Sequence, residues 1–300
     1  MPAYWIALTV LWGIRATNIP NISGLLRNIF LIHPLTSQNV FTGIHQAWTL
    51  SIEVFFYLCL PWIAKLIMAC AKNRLPKQSV RSILVCLLAL YVSAYIFRLF
   101  FYHIHLKDFE TYASWFPAHL DNFVLGMTIS VAVVALNVSP ALDGLQGKLA
   151  RMWPLFFFLS GAAWFWSTQI GMGVFPDTPP FRIGLFGHFL DGITSVTFVL
   201  PFCLDQGNSR IVKIFASRAC VWLGTISYGM YLWHNLFLNG EFATTYMPYQ
   251  VGDMGIATRL LVTILGTIAI ATVSYYLIER PLIRTLGRAL QKRKIQNQLT

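Results

Sequence analysis

Thr49, Glu53 and Tyr57 follow one another at i, i+4 and i+8 inside the otherwise apolar and aromatic stretch AWTLSIEVFFYLCLPWI, residues 47–63. On a helix that spacing puts all three on one face. Ser227, Tyr231 and His234 repeat the pattern at i, i+4 and i+7 in VWLGTISYGMYLWHNLF, and His188, Asp191 and Ser195 do so at i, i+3 and i+7. Carboxylates, imidazoles and hydroxyls on narrow stripes are the groups of general acid–base catalysis, in which a positioned side chain takes a proton from a reacting hydroxyl. They are equally the groups of a proton relay through a membrane. The small hydroxyls Thr49, Ser195 and Ser227 also have a plainer use as packing contacts between helices.

The elements that must hold these stripes follow from composition. Of 300 residues, 56% are hydrophobic and 11% are charged. Soluble domains carry about 25% charged residues, so most of this surface does not face water. Runs near the roughly 20 apolar residues that a bilayer-crossing helix needs occur at about 2–14, 47–71, 82–102, 119–137, 152–170, 184–204, 219–238 and 257–278. Barrel strands would alternate over about ten residues instead. The expected fold class is therefore all-α, a polytopic transmembrane helical bundle of about eight spans. It forms a single membrane-embedded domain over 1–300, with a basic cytoplasmic tail over 279–300. No positively charged segment with a small-residue cleavage site precedes the first span, so no signal peptide is expected.

Lys and Arg set the orientation. Most of the 22 fall in alternate connections and the tail: Lys65, Lys72, Arg74, Lys77, Arg81, Lys148, Arg151, Arg210, Lys213, Arg218 and the run from Arg280 to Lys294. Those connections are expected to be cytoplasmic, and Arg15, Arg27, Arg98, Lys107, Arg182 and Arg259 external. The net charge of +11 then reads as an insertion signal and an attraction to anionic lipid, with no call for nucleic acid. In this topology Glu53 lies about six residues into its span, roughly 9 Å. Asp121, His188, Asp191 and His234 fall in the same outer half. Ionisable groups are costly in hydrocarbon, so a hydrated vestibule open to the outside is expected. Cys59, Cys70, Cys86, Cys203 and Cys220 show no CxxC spacing and read as buried free thiols. His103 and His105 form a lone HxH pair, too few ligands for a metal site, and none is expected. His33, His45 and His119 read as polar residues of the interfaces.

Four segments resemble the acyltransferase family 3 integral membrane proteins. AWTLSIEVFFYLCLPW is similar to that family's W-S-L-S-x-E-x-x-F-Y signature through Trp48, Leu50, Ser51, Glu53, Phe56 and Tyr57, with Thr49 for the usual Ser. TISYGMYLWHNLF is similar to I-S-Y-x-x-Y-L-W-H through Ser227, Tyr228, Tyr231, Leu232, Trp233 and His234. FPAHLDNFVLGM and YYLIERPLIR, with Glu279, Arg280 and Pro281, resemble its central and closing stretches. The resemblance implies ten spans, and transfer of an acyl group, usually acetyl, from acetyl-CoA or another acyl-CoA to a cell-surface carbohydrate or glycolipid. It also implies a bacterial inner membrane. In the family an Arg and an essential His belong to the first span, and P-x-Y-W opens the third. Here MPAYW starts at that point, so the first two spans are expected to be missing.

Within that resemblance Glu53 is expected to orient or charge the catalytic histidine. Tyr57, Ser227 or Tyr228 would donate to the thioester oxyanion or position the acceptor, and His234 would serve as a second base or hold the acceptor. The phosphates of CoA require cytoplasmic cations, for which Arg74, Lys77 and Arg81 are candidates. The positive-inside bias accounts for the same residues without a ligand. A proton-coupled transporter or exporter, and an inactive truncated remnant, are the alternative readings.

Overall fold

The computed structural model describes residues 2–14, 17–36, 40–71, 76–104, 109–138, 142, 144–171, 180–205, 209–238 and 256–285. The described residues are mostly helical, with no strand among them, and fall into two compact units, 1–50 with 217–300 and 51–216. Among the described residues, five helical stretches are long and apolar enough to cross a bilayer: His45–Ala71, Gln78–Ile104, Phe116–Val138, Gly184–Leu204 and Leu260–Thr285. The other three expected spans are helices over Pro2–Gly13, Trp153–Gly171 and Arg218–Leu238 but stay outside that set. Large apolar side chains such as Trp62, Phe158 and Leu277 project fully outward from these helices. Lipid, not water, is the solvent such faces require. The chain is an integral membrane protein built as an all-α bundle.

The first unit contains α1 (Pro2–Gly13), α2 (Ile22–Ile29), the opening turn of α3 (Trp48–Ala71), α11 (Arg218–Leu238) and α12 (Ile256–Ser274). Pro2 opens α1 where a missing N–H costs nothing. Asn21 caps α2 by accepting the Gly24 N–H at 2.8 Å. Two α1 side chains then fasten the far end of α2. The Tyr4 hydroxyl donates to the Asn28 carbonyl at 2.8 Å and the Trp5 indole donates to the Ile29 carbonyl at 3.0 Å. The Asn28 carboxamide donates to the Gly24 carbonyl and to Thr42, and Gly43, at φ +77°, passes so close that a Cβ there would strike it. Helices α11 and α12 run antiparallel, as the pairs Gly229–Ala271 and Phe237–Gly266 require. A single turn of π-helix, Tyr275–Glu279, follows α12.

The second unit holds the rest of α3, α4 (Pro76–Ile104), α5 (Phe109–Ala113), α6 (Leu120–Val138), α7 (Leu145–Arg151), α8 (Trp153–Gly171), α9 (Pro180–Leu204) and α10 (Arg210–Phe215). Helices α8 and α9 are antiparallel neighbours. Ser160 donates to the Thr194 carbonyl at 2.9 Å and Ser167 to Asp191 Oδ1 at 2.7 Å, so the register rises along one helix as it falls along the other. Phe56 of α3 stacks on Phe123 of α6, with ring centroids 3.9 Å apart. Lys72, Arg74, His105 and the tail from 286 onward lie outside the described residues, as does the Lys77 side chain.

Gly229 marks a close backbone approach between α11 and α12. A Cβ there would sit 3.2 Å from Ala271 Cα, a backbone atom that cannot step aside. Replacing it forces α11 from α12. Gly229→Leu is expected to cost ~1–3 kcal/mol, read as a lower melting temperature in detergent; an unchanged melt would show the seam to be slack.

His33 lies outside the spans, in a 3-10 turn over His33–Leu35, fully buried and with neither ring nitrogen hydrogen-bonded among the described residues. Burial lowers its pKa to about 4. The unfolded chain titrates near 6.5 and so takes up the proton first. Stability is therefore full above about pH 6.5 and falls toward pH 4, by up to about 3 kcal/mol. Unfolding followed against pH should show this slope in the wild-type chain and a flatter one in His33→Asn. Equal slopes would assign the acid sensitivity to other groups.

Candidate functional site

In the first unit the stripe on α11 is met by a short 3-10 turn, His45–Ala47, that leads into α3. Gln46 is its centre. The Gln46 Nε2 donates to the carbonyls of Tyr231 and Leu232, at 2.5 and 3.1 Å, and its Oε1 accepts from Asn235 Nδ2 at 2.5 Å. The Gln46 backbone carbonyl accepts from the Tyr231 hydroxyl at 2.5 Å and from Thr49 Oγ1 at 3.1 Å. Thr49 and Tyr231 also share a short hydroxyl–hydroxyl contact. Both hydroxyls are thus consumed in holding the start of α3 to α11.

His234 is placed by the same fastening but not used up by it. Its Nδ1 lies 2.8 Å from the Tyr231 carbonyl oxygen. A carbonyl only accepts, so Nδ1 carries the proton, and in the neutral ring Nε2 holds the lone pair. The side chain is half-buried. Ser227 is exposed on α11 and donates to the Gly224 carbonyl at 2.8 Å. Tyr228 is half-buried on the same helix.

Glu53 and Tyr57 belong to the second unit, one and two turns along α3 from Thr49. Both are exposed, Tyr57 at 64%. Among the described residues Glu53 has no ion-pair partner. Arg81 is exposed at the rim of a groove of about 850 Å³ between α3 and α4, lined also by Leu66, Cys70, Gln78 and Cys86. Cys70 and Cys86, sixteen positions apart in sequence, face the same groove. A second cavity, of about 670 Å³, is lined by Gln146, Arg151, Asp205 and Arg210.

The densest polar cluster in the second unit joins residues that spacing alone does not connect. Arg98 Nη2 of α4 donates to Asp121 Oδ1 of α6 at 2.8 Å and to the Ala118 carbonyl in a short contact. His188 Nε2 of α9 lies 3.0 Å from Asp121 Oδ2 and 2.5 Å from Arg98 Nη2. The Arg98 guanidinium stands 4.8 Å over the Tyr95 ring. His119 donates from Nε2 to the Ala113 carbonyl at 2.8 Å, and its ring meets that of His188 edge-on at 5.3 Å. Asp191 turns away to Ser167, and Ser195 bonds within its own helix to the Asp191 carbonyl at 2.8 Å. So the i, i+3, i+7 stripe of α9 divides, and only His188 joins this cluster.

Comparison with known proteins gives one informative likeness. The chain is 23% identical over 291 residues to a Bacillus subtilis (strain 168) protein named "Putative peptidoglycan O-acetyltransferase YrhL", covering 94% of this chain. It spans 42% of that relative's length. No family model matches the chain, and no solved structure does.

Proposed function

We propose that this chain is a membrane acyltransferase. It moves an acyl group, taken here as acetyl, from a cytoplasmic acyl-CoA to a hydroxyl of a cell-surface carbohydrate or glycolipid. The observation that carries the reading is His234: with Nδ1 committed to the Tyr231 carbonyl, Nε2 is the nitrogen that can accept a hydroxyl hydrogen. The segment that holds it resembles the acyltransferase signature. The likeness to a protein named for peptidoglycan O-acetylation runs along 94% of the chain, so peptidoglycan is the first acceptor to test.

The reaction needs a proton removed, an oxyanion stabilised and a thiolate released. The acceptor oxygen attacks the thioester carbonyl as its proton leaves; the C–S bond breaks and the CoA thiolate takes up a proton. A positioned base is worth about 10²–10⁴-fold, and donors aimed at the oxyanion add a further large factor. His234 takes the proton or holds the acceptor. Glu53 orients or charges a histidine, as the acid of a triad does. Tyr57, Ser227 and Tyr228 are the hydroxyl donors of this reading. Ser227 must first leave the Gly224 carbonyl to act in this way. Arg74, Lys77 and Arg81 meet the CoA phosphates as point or forked cations. The setting is a bacterial inner membrane, with the carboxyl terminus in the cytoplasm.

Membranes carrying the full chain, given labelled acetyl-CoA and peptidoglycan, should place label on the glycan as a base-labile ester. His234→Ala and Glu53→Gln should each lower that rate by about 10²-fold or more. Solute flux with no ester formed would mean a transporter and end the acyltransferase reading; neither activity would mean an inactive chain.

A further inference from the structure

We propose that the cavity of about 670 Å³ walled by α7, the start of α10 and the adjoining ends of α6, α8 and α9 binds a phosphate-bearing ligand. Two ligands of that chemistry reach such a place: an anionic phospholipid, by its headgroup, and an acyl-CoA, by its nucleotide end. The site belongs to the second unit alone, and it stands whether or not the chain transfers an acyl group.

The walls of the cavity are held by their own hydrogen bonds. Gln146 Nε2 of α7 donates to the Leu204 carbonyl at 3.1 Å, which ties that helix to the last residue of α9. Asp205 comes next, and its Oδ2 accepts from the Ser209 backbone N–H at 3.2 Å and from the Ser209 hydroxyl at 2.9 Å. Ser209 Oγ accepts in turn from the Val212 N–H at 3.4 Å and so caps α10. The acid of the cavity is thus engaged with Ser209. Ligand pockets commonly run to about 300–1,000 Å³, so the space is of ligand size.

Arg151 and Arg210 line this cavity from different helices. Arg151 Nε donates to the Gly147 carbonyl of its own helix at 3.1 Å. That bond uses one guanidinium hydrogen and leaves both Nη groups as a fork. Among the described residues neither arginine takes part in an ion pair, although Asp205 lines the same cavity. Guanidinium forks match the oxygens of carboxylates and phosphates. A carboxylate has two oxygens, which a single fork occupies. A phosphate is tetrahedral and offers oxygens to two forks at once, and a second negative charge answers the second cation.

The positive-inside bias asks only for cations near the cytoplasmic surface. Lys213 meets that demand from α10 without lining the cavity. Arg151 and Arg210 go further, since they share one enclosed space. Trp153, at the start of α8, lines it too. Indole rings concentrate at membrane–water interfaces, so this end of the unit lies at headgroup depth, on the cytoplasmic side by the charge bias. A lipid phosphate is held at that depth by its own tails, and a soluble nucleotide reaches it from the cytoplasm.

The test uses the full chain. In nanodiscs of phosphatidylcholine it is titrated with CoA by calorimetry; in detergent it is titrated with phosphatidylglycerol by native mass spectrometry. Arg151→Gln combined with Arg210→Gln should weaken binding of CoA, of phosphatidylglycerol or of both by about 10-fold or more, while Lys213→Gln stays within about twofold of wild type. Arg151→Lys should also bind more weakly, because an ammonium has no fork. A loss for CoA alone assigns the cavity to the nucleotide, and a loss for phosphatidylglycerol alone assigns it to the lipid. A loss for both means that the two compete for one phosphate site. Each of these upholds the proposal. Failure of both probes to bind the wild-type chain overturns it, as does wild-type affinity in the double variant or an equal loss in Lys213→Gln, which would mark diffuse attraction to the surface. Both arginines are exposed, so the variants should melt with wild type; were the double variant to melt early, Arg210→Gln alone carries the same test. The ester assay reads acetyl transfer separately, and none of these outcomes alters it.

Discussion

Hydrocarbon offers no hydrogen bonds, so every polar group brought into it must be satisfied by the chain itself. That constraint decides what each polar residue here is for. Gln46 shows it most fully: its carboxamide and its backbone carbonyl make five hydrogen bonds to Thr49, Tyr231, Leu232 and Asn235. One residue in a three-residue turn thereby ties two helices that begin more than 160 positions apart. A network in which each donor finds an acceptor is rigid; a network missing one member would expose a buried amide at a cost of about 1–3 kcal/mol. The rigidity passes to His234, whose ring is oriented by the carbonyl of the same Tyr231 that Gln46 holds.

Hydropathy alone recovers most of this fold. The run 47–71 is the helix Trp48–Ala71, and 184–204 lies within Pro180–Leu204. The run 82–102 begins late, because the true helix starts at Pro76 and its first turns carry Lys77, Gln78 and Arg81, which hydropathy counts as connection. The short helices α2, α7 and α10 are hidden for the same reason: eight residues or fewer in polar connections carry no apolar run to detect. The polar stripes are legible as faces, since helical spacing fixes which side chains project together. Which of them are spoken for is not legible. Thr49 and Tyr231 share faces with Glu53 and His234 by spacing, yet both hydroxyls are bound to Gln46.

The residues that sequence reasoning passes over share one physical trait: their partners lie on other helices. Arg98 counts in a charge tally as one more external cation, and nothing in its neighbourhood names Asp121, 23 positions on. Cys70 and Cys86 lack a CxxC spacing, yet both line the groove between α3 and α4. Gln46 belongs to a 3-10 turn too short for any periodicity. A local pattern reports the backbone of its own element. Meetings across elements depend on packing, and in a membrane packing rests on small residues such as Gly229 and on filled polar valences.

The buried pair of Arg98 and Asp121 poses the sharpest question of cost. Taking two charges out of water is expensive, and replacing such a pair by well-packed apolar residues is often neutral or stabilising by about 1–4 kcal/mol. Stability therefore gives little reason for these residues at this depth. Removing one partner is a different matter, at about 3–5 kcal/mol, because the other charge is left uncompensated. The pair is thus costly to assemble and costly to half-dismantle, which is the profile of a fixed geometric anchor. What it anchors is visible in the distances: Arg98 fixes the 3-10 turn through the Ala118 carbonyl, and Asp121 fixes the imidazole of His188. An apolar plug would fill the same volume and leave the ring free to rotate. The charged pair instead grips that ring at one nitrogen, Nε2, from two sides.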